Sequence, residues 1–424
     1  MRPLSIAGLS AAETIFRLIC ALIAVRLISA FGGVVGVANY GQFQNLLSVA
    51  TIIGNGAVVV GLVTFVSRHD RSERQRAYWV QAGFGAALSC GLLAGVVIGA
   101  LSLLPAAEQV VNPTGDLNLL ILPLLAPVVS LYYYRVAILN GSGKIYELIA
   151  SKAFYSISLV VVTFVLLVMG LSSGAEWGLA LAPCIALALS IAISQIRSSK
   201  RGVLPVPKLR RYAVRRLTPY WIMGVIGACC TPITLIAIRL TVADKLGWHA
   251  AGIWEAAWRL TDIYLLVITN ALIVYYVPRL SKIRDLIEER DFVVKTVVIS
   301  VLISSFLALG FFIFQGLVVD IIYGNGFSDI YYILWMNIVA SIIRVGGWVV
   351  SYNIIARGKK TQFILMELGS SGVLYLANLV FVEHFGLIGA GYASIFGAIV
   401  YGLACVSYFC LTFLKRQGSR HAVS

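Results

Sequence analysis

The sequence predicts an all-α polytopic membrane protein, with twelve transmembrane helices in two parallel-repeat six-helix bundles around a central cleft. Of its 424 residues, 60% are hydrophobic and 12% are charged, and the mean hydropathy is +0.91, which no soluble domain matches. Apolar runs of about 20 residues, the length that spans a bilayer as a helix, recur between short polar turns. The two halves of the chain also look like diverged copies of each other.

The twelve predicted spans follow one another from the N-terminus to the C-terminus. They lie at about 9–31, 45–67, 79–104, 116–138, 154–172, 177–196, 218–240, 253–275, 293–317, 330–355, 362–382 and 389–414. With the N-terminus inside, the seven cytoplasmic segments hold 26 lysines and arginines, whereas the six opposite loops hold only Lys245. This asymmetry predicts that both termini are cytoplasmic.

One long basic loop, Arg197 to Leu217, lies near the middle of the chain. It predicts an N-terminal bundle over 1–200, a basic cytoplasmic linker over 201–217 and a C-terminal bundle over 218–424. The apolar residues of the loop fit a short amphipathic helix on the membrane surface. A plain linker that carries positive-inside charge fits equally well.

The two halves align with small shifts in register. The matches are Ala24-Val25-Arg26-Leu27 with Ala237-Ile238-Arg239-Leu240, Gly36 with Gly252, Phe65-Val66-Ser67-Arg68 with Tyr276-Val277-Pro278-Arg279, and Gly143-Lys144 with Gly358-Lys359. Because each half has an even number of spans, both copies insert the same way up. Arg26 and Arg239 are then expected to face one cleft from its two sides.

Ionisable residues inside the spans include six arginines and four acids. They are Arg17, Arg26, Arg135, Arg239, Arg259, Arg344, Glu13, Glu255, Asp262 and Glu367. Arg135 is close enough to a cytoplasmic end to reach the interface. The net positive interior suits an anionic substrate.

The eighth span, Ile253 to Tyr275, concentrates three of these residues. Helical spacing places Glu255, Arg259 and Asp262 on one face. A charge at membrane depth costs at least about 2.5 kcal/mol, so that face should meet other helices or a wet cavity. Either the residues function in transport, or they form a pairing cluster that ties helices together.

Metal, cofactor and nucleotide sites are not expected. The seven cysteines fall inside apolar runs without the spacing of metal ligands, and we interpret them as small buried hydrophobic residues. The four histidines are scattered, and no Gly-x-x-x-x-Gly-Lys-Ser/Thr motif is present. In the run from Tyr132 to Tyr134, at most one ring is free to stack on a sugar, and we expect the others to pack.

Several blocks of sequence carry a family resemblance. They are Gly252-Ile253-Trp254-Glu255, Asp262-Ile263-Tyr264-Leu265, Tyr276-Val277-Pro278-Arg279-Leu280-Ser281, and Arg344-Val345-Gly346 with Ala356 and Glu367 beyond. With twelve spans in two halves and a cationic interior, the chain resembles the multidrug/oligosaccharidyl-lipid/polysaccharide exporter superfamily. Within it, the chain is most similar to the Wzx-type flippases for O-antigen and enterobacterial common antigen.

The resemblance implies a flippase of the bacterial inner membrane that takes part in lipopolysaccharide or other surface polysaccharide biosynthesis. It would move undecaprenyl-pyrophosphate-linked oligosaccharide repeat units from the cytoplasmic to the periplasmic leaflet by alternating access. Membrane lipids, a polysaccharide polymerase and a chain-length regulator would be its partners, without nucleic acid, and it would act as a monomer.

The same picture assigns roles to individual residues. Cations that suit phosphate line the cleft in this hypothesis: Arg26, Arg239, Arg259, Arg344 and Arg17. Three acids would couple to ions or pair with arginines: Asp262, Glu255 and Glu367.

The alternative within the superfamily is a multidrug efflux antiporter, whose cavity should be acidic or aromatic. A polymerase should have a large periplasmic loop, whereas the outer loops here are short. A glycosyltransferase should carry an Asp-x-Asp motif, which the sequence lacks. A membrane scaffold would not explain buried arginines at matched repeat positions.

Overall fold

The protein is helical throughout the part that its computed structural model describes. The described residues are 3–55, 62–63, 65–67, 72–102, 121–197, 211–280, 283, 285–324, 326–357 and 359–421, and no strand occurs among them. By packing, the chain divides into a first unit, Met1–Ile233, and a second unit, Thr234–Ser424.

Among its described residues, the first unit has five long helices and the start of a sixth. They are α1 (Pro3–Asn55), α2 (Glu73–Ser102), α3 (Ile121–Gly141), α4 (Ile145–Val168), α5 (Gly174–Arg197) and the first part of α6 (Arg211–Ala271). Glycines of α2 allow α3 to approach closely: a Cβ on Gly95 would lie 2.4 Å from the Pro123 carbonyl oxygen, and one on Gly91 would lie 2.8 Å from the Pro127 Cα. These small residues therefore let the backbones of the two helices pack closely.

The second unit contains the rest of α6 and the elements after it. They are a π-helix (Leu272–Tyr276), α7 (Val277–Leu280), α8 (Leu286–Ile313), α9 (Gln315–Ile322), a 3₁₀ turn (Ser328–Ile330), α10 (Tyr331–Ala356) and α11 (Lys360–His421). Helix α8 begins with a clear cap, because the Asp285 carboxylate accepts hydrogen bonds from the Ile287 and Glu288 amides, both at 3.1 Å.

Seven helices among the described residues are long and apolar enough to cross a membrane. They are Ala12–Gly54, Glu73–Ala100, Ile145–Val168, Gly174–Gln195, Leu286–Ile313, Ser328–Ala356 and Thr361–Leu414. The first contains 43 residues and the last 54, which correspond to about 65 Å and about 80 Å of helix. One crossing of a ~30 Å hydrocarbon core needs less than half of either length. The chain is therefore a multi-pass membrane protein, and each of these two helices has room for two crossings.

Single glycines divide the long helices where the sequence analysis placed loops. Gly33 in α1, Gly247 in α6 and Gly386 in α11 have φ values of 59°, 87° and 59° with extended ψ, a conformation that side chains with a Cβ avoid. The loops predicted between spans 1 and 2, 7 and 8, and 11 and 12 are thus helix breaks at one residue. Gly33 and Gly247 are 214 residues apart, within the register of the predicted repeat.

By packing, the two units meet between Ile233 and Thr234, whereas the predicted linker at 201–217 lies mostly outside the described residues. Residues 198–210 lie outside the described part, and the chain from Arg211 onward belongs to α6. Ala213 and Leu217 are buried in the core of the first unit, and the Trp221 indole N–H donates to the Ile53 carbonyl at 2.9 Å. The start of α6 is held by protein contacts and is not a separate surface helix, so the first unit ends at Ile233.

Candidate functional site

A buried ionic cluster joins the two sides of the Gly247 break. Glu255 is 4% exposed, and one of its carboxylate oxygens accepts a hydrogen bond from Arg239 Nη2. The other oxygen accepts from Arg259 Nη2 at 2.7 Å and from Arg259 Nε at 3.1 Å. Arg239 and Glu255 each lie eight residues from Gly247, so the break brings them face to face.

The surroundings of this cluster differ for its two arginines. Arg239 is fully buried, and its guanidinium lies 5.7 Å from the centre of the Trp254 ring. The Arg259 side chain keeps 19% of its surface exposed. Two arginines on one glutamate leave one net positive charge, and only Arg259 presents it to solvent. Glu255 is therefore used within the protein, and Arg239, which was predicted to line the cleft, is one of its two partners.

A second cation of the same unit, Arg344 of α10, has very different contacts. Its guanidinium lies over the Trp258 ring at 4.5 Å, and its Nε and Nη2 atoms are buried without a hydrogen-bond partner among the described residues. Asp262 is exposed and interacts electrostatically more strongly with Arg344 than with Arg259. Of the predicted pairing cluster, the contact of Glu255 with Arg259 is present, whereas the main charged partner of Asp262 is Arg344.

The first unit has its own ionic cluster around Glu13 of α1. This carboxylate is buried, and it lies 3.8 Å from Arg17 Nε and 3.6 Å from Lys152 Nζ. The Arg17 side chain is 48% exposed. Sequence analysis missed Lys152, because it assigned that lysine to a loop, whereas α4 begins at Ile145 and carries Lys152 in its second turn.

Arg26 and Arg239, the predicted pair across the repeat, lie in unlike environments. Arg26 is exposed, whereas Arg239 is fully buried. In the register given by Gly36 and Gly252, Asn39 takes the place of Glu255, so the first copy lacks the carboxylate that holds the arginine in the second. This single difference explains why only Arg26 is accessible.

Arg135 does not simply reach toward the interface. Its Nη2 lies 3.7 Å from a Glu147 carboxylate oxygen and donates to the Ser194 hydroxyl, which donates in turn to Glu147 at 2.8 Å. These contacts join α3, α4 and α5. Sequence analysis missed Glu147 for the same reason as Lys152, namely the late predicted start of the fifth span.

The three consecutive tyrosines of α3 divide as the spacing predicts. Tyr132 is buried and stacks on Tyr155 with ring centres 5.6 Å apart, and the Tyr134 hydroxyl donates to the Val80 carbonyl at 2.8 Å. Tyr133 is partly exposed and interacts electrostatically with Arg17. Of the three rings, only that of Tyr133 keeps part of its surface exposed.

Glu367 and the cysteines complete the placement of the predicted residues. Glu367 is half-buried in α11 beside Tyr352 and Tyr401, so it belongs to a different neighbourhood from the arginine cluster. Four of the seven cysteines are buried as predicted, whereas Cys90 and Cys184 are partly exposed and Cys410 is exposed.

Comparisons with known proteins agree with this architecture. Residues 34–332 match the model of the family described as "Polysaccharide biosynthesis protein". The lipid III flippases of Escherichia coli (strain K12) and Shigella flexneri are each 24% identical to this chain over 414 residues, which is 95% of the chain and 97% of those proteins.

Solved structures show the same fold at low sequence identity. An inward-facing multidrug resistance MATE family transporter of the MOP superfamily superposes with a TM-score of 0.77 at 14% identity, covering 95% of this chain and 96% of that one. The lipid II flippase MurJ, in an inward closed conformation, gives a TM-score of 0.66 at 16% identity, covering 96% and 89%. With 299 consecutive residues inside the matched region, this chain belongs to the polysaccharide biosynthesis protein family.

Proposed function

We propose that this protein flips undecaprenyl-pyrophosphate-linked oligosaccharide repeat units, of the O-antigen or enterobacterial common antigen type, by alternating access. The family and the names of the full-length relatives support this class of substrate. Transport runs from the cytoplasmic to the periplasmic leaflet of the bacterial inner membrane. The protein works as a transporter and not as an enzyme.

The observation that carries the proposal is Arg344. Its guanidinium is at membrane depth, with two N–H groups that no described residue satisfies. Leaving a buried donor of a charged group without a hydrogen bond lowers the stability of a protein by more than about 1–3 kcal/mol. We therefore expect a ligand to complete the hydrogen bonds of Arg344. A pyrophosphate offers oxygens that match the planar fork of arginine.

Each unit also carries accessible arginines. Arg26, Arg17 and Arg259 expose part of their guanidinium surface within membrane-spanning helices. Since lipid tails would not tolerate them there, they face water and are available to an anionic substrate. Arg239 contributes indirectly, because it holds Glu255 and with it the position of Arg259.

The acids take separate roles in this mechanism. Asp262 neutralises Arg344 when no substrate is bound, and it is displaced when a pyrophosphate arrives. Glu255 pairs with arginines throughout the cycle. Glu367 is the acid best placed for ion coupling, because its neighbours Tyr352 and Tyr401 carry no positive charge.

Orientation and partners complete the proposal. The 26 basic residues of one side face the cytoplasm together with both termini. The protein acts as a monomer beside a polysaccharide polymerase and a chain-length regulator, which would consume the flipped repeat units. Multidrug efflux is not favoured, because the accessible ionic groups of both units are predominantly cationic.

A reconstituted flipping assay tests the proposal. Liposomes that contain the purified protein and a fluorescent undecaprenyl-pyrophosphate oligosaccharide are exposed to a quencher that reaches only the outer leaflet. We expect quenching of lipid from the inner leaflet with wild-type protein and its loss with Arg344→Ala, while neither protein moves ethidium. Transport of ethidium without flipping of the glycolipid would refute it.

A further inference from the structure

A cleft at one end of the second unit has no part in the proposed transport site. It lies where α8 begins, where α10 ends and beside the last turns of α11, and it measures about 370 Å³ with its open mouth included. Its lining consists of Leu286, Glu289, Val350, Asn353, Lys359, Tyr408, Phe409, Thr412 and Phe413. The predicted topology puts this end at the cytoplasmic leaflet.

The only acid in the lining is already neutralised. Glu289 lies 2.9 Å from Arg357 Nη2 and 3.0 Å from Arg357 Nε, and it accepts a further hydrogen bond from Asn353 Nδ2 at 3.2 Å. Arg357 also donates to the Ile283 carbonyl at 3.0 Å. These contacts fix the wall of the cleft and leave it without negative charge.

One positive charge and one unused donor remain in the cleft. Lys359 Nζ lies 5.3 Å from the centre of the Tyr408 ring and forms no ion pair with a described residue. The Tyr408 hydroxyl is buried and has no hydrogen-bond partner in the described part of the chain. An anionic oxygen near Lys359 Nζ would satisfy both groups.

The rest of the lining is mostly apolar. Phe409 and Phe413 form one wall, and Arg290 lies 5.6 Å over the ring of Phe413. On the outer surface of the same turns, Leu411 and Leu414 are 59% and 62% exposed. A ligand that bridges the anionic and apolar parts must be an amphiphile.

We propose that this cleft binds the headgroup of an acidic phospholipid from the cytoplasmic leaflet. The lipid phosphate accepts from Lys359 and from the Tyr408 hydroxyl, and an acyl chain lies against Phe409 and Phe413. Basic pockets between membrane helices bind anionic headgroups in this way. The cleft is too small for a glycan, so the site is separate from the proposed substrate site and does not depend on it.

Binding would hold the ends of α8, α10 and α11 together. A ligand that binds only the folded protein stabilises it in proportion to ln(1 + [L]/Kd). The lipid should therefore raise the midpoint of thermal unfolding as well as remain attached during purification. Neither readout requires that the protein flip anything, so the test stands even where the transport proposal fails.

The test compares lipids of equal chain length on the purified full-length protein. Native mass spectrometry counts bound phosphatidylglycerol and phosphatidylcholine, and thermal unfolding in detergent is followed with each lipid and with inorganic phosphate. Wild type should prefer phosphatidylglycerol by about fivefold or more, the contribution of one lysine near an anionic lipid. Lys359→Gln should abolish this preference, whereas Tyr408→Phe should weaken the binding of both lipids, because both carry the phosphate that accepts from the hydroxyl.

Two further variants keep the test decisive. Lys359→Arg retains the charge and should retain the preference, and Lys295→Gln removes an exposed lysine from the same end of α8 without touching the cleft. Unchanged phosphatidylglycerol preference in Lys359→Gln would overturn the proposal. An equal thermal shift with inorganic phosphate alone would also overturn it, because the site would then bind a free anion.

Discussion

Arg239 and Arg344 belong to the same unit, but the contacts of their guanidinium groups give them different tasks. Arg239 is enclosed between Glu255 and Trp254, so its charge is used within the protein. Arg344 stacks on Trp258 and keeps two buried N–H groups for a partner outside the described residues. The type of residue is the same, and only the neighbours separate a structural arginine from one that can bind an anion.

This distinction predicts opposite phenotypes for two alanine variants. Arg239→Ala should lower the free energy of unfolding by about 3 kcal/mol, the lower end of the range for a broken buried pair, because Arg259 still neutralises Glu255. Arg344→Ala should keep wild-type stability and lose flipping. Thermal unfolding in detergent and the liposome assay measure the two effects, and a stable, active Arg344→Ala protein would remove Arg344 from the site.

Asp262 gives a second test at this scale. Because Glu255 already holds Arg259, Asp262→Asn should change the free energy of unfolding by no more than about 0.5 kcal/mol, as for an exposed position. The flipping rate should also fall, because the carboxylate that competes with the substrate for Arg344 is then missing and the substrate is released more slowly. Glu255→Gln is the control and should be clearly less stable. A loss of stability in Asp262→Asn in proportion to its loss of activity would make Asp262 a structural residue.

Tyr133 is the aromatic residue that we expect to meet the sugar. It is the partly exposed member of the three tyrosines and lies beside Arg17. Tyr133→Leu should impair flipping at unchanged stability, whereas Tyr133→Phe should remain active because the ring is kept. Tyr132→Leu serves as the packing control and should lower the unfolding midpoint. Equal activity of the Leu and Phe variants at position 133 would argue against stacking.

At the scale of helices, single glycines decide how the spans follow each other. Gly247 folds α6 so that Arg239 and Glu255 meet, and a Cβ at this position would contact nothing within 4 Å. Any cost of a side chain there comes from the backbone conformation, not from a clash. The same device at Gly33 and Gly386 replaces a loop with one residue.

Gly247→Ala should therefore destabilise the protein by about 1–3 kcal/mol, the usual cost of holding a residue with a Cβ in a disfavoured conformation. It should also reduce flipping, since it disturbs the contact between Arg239 and Glu255. Gly310→Ala is the matched control: this glycine lies inside α8 with nothing within 4 Å of its Cβ position, and alanine favours a helix. Equal stability of the two variants would show that the break at Gly247 is not needed.

Hydropathy was sufficient to predict the long apolar helices, because apolar runs depend only on local composition. The family resemblance depended instead on short blocks such as Gly252-Ile253-Trp254-Glu255. The contact between Glu255 and Arg259 was also predictable, since it joins residues one helical turn apart. The contacts of Glu255 with Arg239, of Glu147 with Arg135 and of Glu13 with Lys152 were not, because each crosses between helical segments. Such pairs depend on where a helix bends or begins, which composition does not specify.

On the scale of the whole molecule, charge asymmetry and the fold together define which positions should face each side. Lys245 Nζ pairs with Glu383 at 2.8 Å, so the turn at Gly247 and the turn at Gly386 lie at the same end of the second unit, as their prediction as outer loops requires. Arg74 and Arg211 lie in the first turns of α2 and α6 and are exposed.

Cysteine labelling in intact cells tests this orientation. In a background without the native cysteines, a membrane-impermeant maleimide should label cysteines that replace Lys245 and Met169, the latter 76% exposed at the turn after α4. Cysteines that replace Arg74 and Arg211 should react only after the membrane is permeabilised, because positively charged segments are retained in the cytoplasm. If the reagent labelled the position of Arg211 from outside and left that of Lys245 unlabelled, the orientation would be the opposite of the predicted one. The proposed direction of transport would then be wrong as well.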